Sequence, residues 1–526
     1  MNDIVGVGPL ARFALRRDRV RISVWIVSIV AMVGLTAEAI AGLFPTQADL
    51  DAAAAASTNP AILAFQGPAQ SLDTLGGQIA FQIGAPGLVI SALMGMLMMG
   101  RLTRGEEEAG RLELMRSLPV GRHAPGLVAS LVVAGMSVAL GALVALALIA
   151  QGLEAAGSLS FGLSYALMGL VFAGVGFVAA QVTENTRVAY GLAGAVLAAS
   201  YVLRAIGDVG DGAVSWLSPI GWMQKARPFA GERWWPFVIP VVAIVALYAL
   251  GRAMAARRDL GAGLVAPRPG PPGASERLAG PLGLAVRLQR GGLVGWSVGV
   301  AVTGLAYGSI ANSIEQFVSD NAALSDVLTG GSSASLIDAY LGTSVRIAAL
   351  IGAGFAVQAT LRARGEETAG RAEPVLATAV SRTRWALGHL AVAGAGTVIV
   401  LTTAGLATGI SAAVVVGDAG LVTRLLAASL AYAPALWLLC GCALALVGVR
   451  PRAVAAVWGL LIGCFVISFL GPVLQLPGWV VALSPFDHVP LAPAEAMSAV
   501  PLVTLAAIAA GLVAVGIGGI ARRDIG

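Results

Sequence analysis

Long apolar runs separated by short polar stretches recur along the whole chain. A helix needs about 20 apolar residues to cross a bilayer, and twelve runs come close to that length, six in each half. The predicted spans are 22–43, 80–101, 126–150, 159–180, 188–206, 236–254, 292–313, 343–361, 386–411, 423–447, 453–473 and 500–520. The pattern therefore predicts an all-α polytopic membrane protein with about twelve transmembrane helices.

Composition supports the membrane assignment and excludes a soluble fold. Apolar residues make up 57% of the 526 positions, and the mean hydropathy is +0.85. Soluble domains contain about 45–50% apolar residues. The first run, 22–43, is longer than the apolar core of a secretory signal peptide, so we interpret it as a spanning helix.

The distribution of positive charge predicts the orientation. With the N-terminus in the cytoplasm, 27 of the 33 Lys and Arg residues lie inside and 4 lie outside, as the positive-inside rule favours. We therefore expect a multi-pass protein of the plasma (inner) membrane with both termini cytoplasmic. The net charge is +5, but the arginines are scattered between apolar runs, so nucleic acid is not an expected partner.

Five short motifs occur twice, in the same order, at separations between 260 and 272 residues. They are GPL at 8 and 280, Trp25 and Trp296, RGEE at 104 and 364, LSP at 217 and 483, and ARRD at 256 and 521. Five collinear matches indicate a duplication, and an even number of spans per copy makes the copies parallel repeats. We predict a first six-span half at 1–262, a Pro- and Gly-rich cytoplasmic linker at 263–280, and a second half at 281–526.

The two RGEE copies begin the most charged repeated segments of the chain, RGEEEAGRLE (104–113) and RGEETAGRAE (364–373), here called the acidic segments. Eight of their ten positions are identical. In a continuous helix, Glu106, Gly110 and Glu113 would share one face, and Gly110 would let another backbone come close. A solvated loop would explain the charge but not the repeated order, so we favour a shared protein contact.

The acidic segments carry a family resemblance. The pattern R-x-E-E-x-x-G-x-x-E resembles the cytoplasmic segment of ABC-2 type permeases, as do the basic amphipathic stretch at 9–21 and the LSPF element at 483–486. The two fused halves, each ending in ARRD[LI]G, look most like the actinobacterial exporters of polyketide antibiotics, which include tetronasin-type multidrug efflux permeases. The resemblance covers nearly the whole chain.

This resemblance implies an ATP-driven exporter built from two type V exporter-like six-helix halves. The chain would extrude hydrophobic drugs or polyketide-type antibiotics, in contact with membrane lipid. It would be a transport subunit and not an enzyme, because it has no G-x-x-x-x-G-K-[ST] phosphate loop and its single lysine, Lys225, is predicted outside. ATP and Mg²⁺ would then bind a separate ABC ATPase subunit, present in two copies.

The expected ATPase-coupling residues lie in and just after the two acidic segments: Arg104, Gly105, Glu106, Glu107, Gly110, Arg111, Glu113, Arg122, Arg364, Gly365, Glu366, Glu367, Gly370, Arg371, Glu373 and Arg382. Their glutamates would contact Arg or Lys of the ATPase, or the N-terminal basic helix. The residues expected in that helix are Arg12, Arg16, Arg17 and Arg19.

Two arginines fall at or within predicted spans, where a charge is costly and often functional. Arg204 and Arg346 both lie near the predicted outer end of a span. Snorkelling to the interface is favoured over contact with substrate or a role in a gate.

Two other functions remain open. A proton-coupled multidrug antiporter can also have twelve spans in two parallel halves, but it would need carboxylates buried at mid-span. A non-transporting membrane scaffold is the other alternative. A membrane-embedded enzyme is disfavoured, because the sequence contains no recognisable catalytic cluster.

Overall fold

The computed structural model describes residues 5–56, 63, 66–116, 119–266, 272–273, 275, 278, 280–311, 336–470 and 477–524. All regular structure in these residues is helical, and eleven of the helices are long and apolar enough to cross a membrane. The predicted all-α polytopic fold is confirmed. The chain divides into two compact units, Met1–Gly270 and Pro271–Gly526.

The first unit is organised around one buried helix, α7, which packs against α3, α6, α8 and α10. Small residues allow this packing, because a Cβ at Gly141 or Gly162 would lie within 2.4 Å of the other glycine's carbonyl oxygen. The helices are α1 (Val7–Leu43), α2 (Gln47–Ala56), α3 (Leu75–Leu102), α4 (Arg104–Glu108), α5 (Arg111–Arg116), α6 (Ala124–Ala150), α7 (Ala155–Val182), α8 (Thr186–Val209), α9 (Pro219–Lys225) and α10 (Val238–Ala256).

The second unit packs its helices in the same pairs. Its helices are α11 (Pro281–Ser309), α12 (Leu336–Thr368), α13 (Ala372–Leu376), α14 (Arg382–Val416), α15 (Gly420–Leu430), α16 (Ala433–Val449), α17 (Ala456–Leu470), α18 (Gly478–Val481) and α19 (Ala499–Arg522). The first long helix of each unit contacts the second and third, and the fourth contacts the second, third and last. In this unit the fourth is interrupted between α15 and α16, where Pro434 follows the break.

The first and eleventh predicted spans differ from the observed helices, and the helix of the seventh, predicted at 292–313, begins earlier, at Pro281. Residues 312–313 lie outside the described residues. The basic stretch at 9–21 does not precede the first span as a separate element, because α1 runs unbroken for 37 residues. The eleventh span, predicted at 453–473, corresponds to α17, which has 15 residues. At 1.5 Å per residue such a helix is about 22 Å long, less than a bilayer core of about 30 Å. Residues 471–473 of that prediction lie outside the described residues.

The predicted linker is described only in part. Leu264 and Val265, at its start, donate backbone hydrogen bonds of 3.0 and 2.9 Å to the carbonyls of Gln181 and Val182. The beginning of the linker is therefore attached to the end of α7. Residues 267–271 and several others up to 279 lie outside the described residues.

Candidate functional site

A glycine in the left-handed conformation interrupts the helical backbone within each acidic segment. Gly110 has φ +69° and Gly370 has φ +67°, a backbone conformation that glycine adopts without steric cost. The prediction that Glu106, Gly110 and Glu113 share one helical face is therefore wrong, because α4 ends before Gly110 and α5 starts after it. No atom lies within 4 Å of a Cβ placed at Gly110, so this glycine permits a turn and not a close backbone approach.

Gly370→Ala should loosen the second acidic segment. The left-handed conformation costs an L-residue about 1–2 kcal/mol, so amide exchange within 365–373 should become about tenfold faster. Gly365→Ala is the matched control, since nothing lies within 4 Å of a Cβ at either glycine and Gly365 is helical. Equal exchange rates in the two variants, measured by hydrogen–deuterium exchange, would contradict this explanation.

Glu106 and Glu366 occupy equivalent positions in the two acidic segments, and they are 4% and 5% exposed. Arg111 donates to both carboxylate oxygens of Glu106 over 2.8 and 3.1 Å, and this hydrogen bonding raises the pKa of the Arg111 guanidinium. Arg371 binds Glu366 in the same way over 2.7 and 3.2 Å. Each carboxylate therefore fastens its segment across the glycine turn.

A second arginine contacts each of these glutamates, but the helix that supplies it differs between the two units. Arg17 of α1 donates to Glu106 over 2.8 Å, which connects the N-terminal basic helix to the first acidic segment. In the second unit Arg362, one turn earlier on α12, lies 2.6 Å from Glu366. The predicted contact between the basic helix and an acidic segment is thus present in the first unit through Arg17. Arg12, Arg16 and Arg19 are exposed.

The second glutamate of each segment binds the last long helix of its own unit. Both Nη atoms of Arg258 contact the Glu107 carboxylate, over 2.8 and 2.6 Å. Arg523 contacts Glu367 in the same bidentate manner, over 2.8 and 2.7 Å. Both arginines belong to the repeated ARRD motif. We call each of these pairs a Glu–Arg clamp.

The first arginine of each acidic segment, Arg104 or Arg364, also binds the glutamate of the Glu–Arg clamp. The two arginines differ in burial. Arg104 is 1% exposed and donates to Glu107 over 2.7 Å, to Ala180 O over 2.9 Å and to Ala262 O over 3.1 Å. Arg364 lies 2.7 Å from Glu367, but its side chain is 25% exposed. The clamp of the first unit is therefore the more deeply buried.

Arg122 and Arg382 strengthen the attachment to the last helix. Arg122 donates to Ala256 O over 3.1 Å, and Arg382 donates to Arg523 O over 2.7 Å. Among the predicted coupling residues, Arg111, Glu113, Arg122, Gly365, Gly370, Arg371 and Glu373 are exposed. The glutamates that hold each segment are therefore buried, whereas Arg111, Arg122 and Arg371 contact them or the last helix from the surface.

Three important residues were missed in the sequence. Asp18 is 1% exposed and forms ion pairs of 2.9–3.0 Å with Arg17, Arg21 and Arg101. Asp18 lies among the arginines of the basic stretch, so the net positive charge of that stretch gives no sign of it. Arg258 and Arg523 could have been found, because a repeated arginine is the natural partner of a repeated glutamate.

Arg204 does not snorkel. Its side chain is fully buried, 3.4 Å from Asp208, and its guanidinium lies 4.4 Å from the centre of the Tyr201 ring. Ser215 donates to the same aspartate over 2.8 Å. The preference for snorkelling is wrong here, because a snorkelling arginine would keep its charged group at the water interface.

Arg346 also has an acidic partner. It donates to Asp487 over 3.1 Å, and Asp487 accepts a second hydrogen bond of 2.7 Å from Ser468. Its side chain remains 21% exposed. Among the described residues, no group of three His, Cys, Asp or Glu side chains is arranged to hold a metal ion.

Comparison with known proteins identifies the family of this chain. Residues 278–520 match the family model described as multidrug efflux system permease Rv1217c, C-terminal domain. The chain is 39% identical over 528 residues to the multidrug efflux system permease protein Rv1217c of Mycobacterium tuberculosis (strain ATCC 25618 / H37Rv), and the match covers 100% of this chain and 96% of that relative. An identity of this size along the full length shows that the chain belongs to the Rv1217c family of multidrug efflux system permeases.

Proposed function

We propose that the chain is the permease subunit of an ATP-driven ABC exporter of the ABC-2 type, powered by two copies of a separate ATPase. It would extrude hydrophobic small molecules, such as drugs or polyketide-type antibiotics, across the plasma membrane. ATP and Mg²⁺ would bind the ATPase, and both termini of the permease would be cytoplasmic. The family of efflux permeases supports the export of drugs, and the two acidic segments support two ATPase contacts.

The observation that carries this proposal is the Glu–Arg clamp in each unit. Glu107 and Glu367 join their acidic segments to Arg258 and Arg523, at the ends of the last long helices. Charge-assisted bidentate contacts are stronger and more directional than neutral hydrogen bonds. A push on an acidic segment would therefore move the last helix of that unit, instead of being absorbed by a flexible loop.

The burial pattern assigns different roles to the glutamates. The side chains of Glu106, Glu107, Glu366 and Glu367 are only 5–7% exposed and already bind arginines. Glu113 and Glu373 are exposed. We therefore assign contact with the ATPase to Glu113, Glu373 and the neighbouring exposed turns, and we assign transmission of movement to the buried glutamates.

The buried carboxylates favour ATP as the energy source over a proton gradient. Asp18, Glu106 and Glu366 are buried acidic residues, and Asp208, whose side chain is 3% exposed, is buried within α8. Asp18, Glu106 and Glu366 each have an arginine partner within 3.0 Å, and Asp208 lies 3.4 Å from Arg204. Such a partner opposes protonation. A proton-coupled antiporter needs a carboxylate that gains and loses a proton during transport.

Isolation of the complex tests the proposed partnership. Co-expression with a candidate ATP-binding cassette protein should yield a complex with two ATPase copies per permease. ATP hydrolysis by that complex should increase when a hydrophobic drug is added. A permease that purifies alone, and that leaves ATP hydrolysis unchanged when mixed with the ATPase, would contradict the proposal.

A further inference from the structure

The first unit contains a cavity of about 220 Å³ beside its Glu–Arg clamp. It lies where the end of α3, the beginning of α6 and the ends of α7 and α10 meet. Leu102, Leu127 and Phe177 contribute apolar wall, while Arg122 and Arg252 contribute positive charge. The cavity thus combines a small apolar space with a basic edge.

The repeated sequence provides an internal comparison for this cavity. The separations of 260 and 265 residues that relate the RGEE and ARRD motifs also relate the helices around it. Four lining residues have the following counterparts in the second unit: Pro125 and Trp385, Ser130 and Leu390, Tyr248 and Val513, Arg252 and Ile517. All four counterparts pack in one apolar cluster of the second unit. Ser130, Tyr248 and Arg252 are therefore specific to the first unit, whereas Arg122 has a counterpart in Arg382.

The charges around the cavity do not cancel. Glu107 is occupied by Arg104 and Arg258. The remaining acid on the lining, Asp259, is exposed, as are Arg122 and Arg252. Within the described residues, neither Arg122 nor Arg252 forms an ion pair with an acid of this chain. Two arginines against one exposed aspartate leave an excess of positive charge, which favours an anionic occupant.

A buried hydroxyl on the cavity wall points to the same kind of occupant. The Oη atom of Tyr248 is buried and has no hydrogen-bond partner among the described residues. Native proteins rarely leave a buried polar group unsatisfied. Tyr248 and Arg252 lie one helical turn apart on α10, so both are on the face that lines the cavity.

We propose that this cavity binds an anionic amphiphile, with its apolar body against Phe177 and Leu127 and its acidic group at Arg252 and Arg122. The ligand is either the acid end of an anionic membrane lipid or a small organic acid taken up for export. The proposal does not depend on the ATPase, because it rests on the shape and charge of the first unit alone.

Binding of decanoate to the full chain in phosphatidylcholine nanodiscs tests the site. Arg252→Ile installs the residue found at the equivalent position of the second unit, and we expect it to weaken decanoate binding about tenfold. Arg257→Ile, which removes an exposed neighbouring arginine that does not line the cavity, should leave binding within about twofold. Arg252→Lys should retain most of the affinity, because it keeps the charge.

Decanol is the neutral counterpart of decanoate, and it should bind the wild type more weakly than decanoate does. Its affinity should be the same for the wild type and for Arg252→Ile. Ser130→Leu should weaken binding of both probes, because it fills the space. Adding phosphatidylglycerol to the nanodiscs should compete with decanoate if the natural occupant is a lipid, and should not compete if it is an exported acid. Equal decanoate affinities of Arg252→Ile and Arg257→Ile would overturn the site in either case.

Discussion

Glu107→Gln should destabilise the first unit by about 3–5 kcal/mol, the usual cost of leaving buried charges without their partner. Arg104 and Arg258 have side-chain exposures of 0% and 7%, so water cannot replace the lost carboxylate. Glutamine keeps one acceptor oxygen but no charge. We expect much faster hydrogen–deuterium exchange in the first acidic segment and at the end of α10.

The equivalent change in the second unit should cost much less. Glu367→Gln also removes the carboxylate from two arginines, but Arg364 and Arg523 are 25% and 21% exposed. Water can solvate them, so the expected cost is about 1 kcal/mol. Relative to the wild type, Glu367→Gln should therefore accelerate amide exchange at 364–373 less than Glu107→Gln accelerates it at 104–113. An equal effect in the two units would show that burial of the arginines does not determine the strength of the clamp.

Reversing the charge of both exposed glutamates, Glu113→Arg with Glu373→Arg, should lower drug efflux about tenfold while leaving thermal stability unchanged. Neither residue is buried, so the substitutions leave the clamps intact. Each reversal would turn attraction to a basic ATPase surface into repulsion, which weakens association and slows its rate. Efflux of a fluorescent drug from cells, together with the thermal unfolding midpoint of the purified variant, measures both effects.

The single reversals are the controls for this experiment. Each leaves one acidic segment unchanged, so efflux should fall less than in the double variant. The amount of each variant in the membrane should stay the same, because added arginines on the predicted inner side agree with the positive-inside rule. Normal efflux by the double variant would exclude these two glutamates as the ATPase contact.

The helices were the easiest part of this fold to predict from sequence. A bilayer requires long uninterrupted apolar runs, and eleven of the twelve predicted runs correspond to helices of sufficient length among the described residues. The start of α1 was missed because charged residues at 12–21 are not apolar, although nothing in them stops a helix. Helix continuity depends on backbone hydrogen bonding and not on hydrophobicity, so hydropathy alone places this boundary too late.

The sequence singled out the two acidic segments, but it did not show how their residues are arranged. Repetition identified Glu106 and Glu107, since identity between diverged copies requires a shared constraint. It could not reveal that Gly110 adopts a positive φ, which depends on the turn that follows α4. The repeated ARRD motif offered Arg258 as a partner for Glu107, but the sequence does not show the packing that brings these two residues together across 151 positions.

Buried polar groups inside the bundle were the hardest to predict. Arg204 was assigned to the interface because it lies near the end of a predicted span, yet Asp208 is four residues later and satisfies it within the protein. A carboxylate at i+4 on the same helix is a signal that sequence reasoning can use. The cavity of the first unit has no such signal in the sequence, because it depends on how the ends of four helices pack.

Drug uptake into inside-out membrane vesicles tests the central claim most directly. Vesicles that contain this chain and its ATPase should accumulate a hydrophobic drug when ATP and Mg²⁺ are supplied, and a protonophore should not stop them. Vesicles with the chain alone, or with an ATPase that cannot hydrolyse ATP, should accumulate none above background. Uptake by the chain alone, driven by an imposed proton gradient and abolished by the protonophore, would contradict the account.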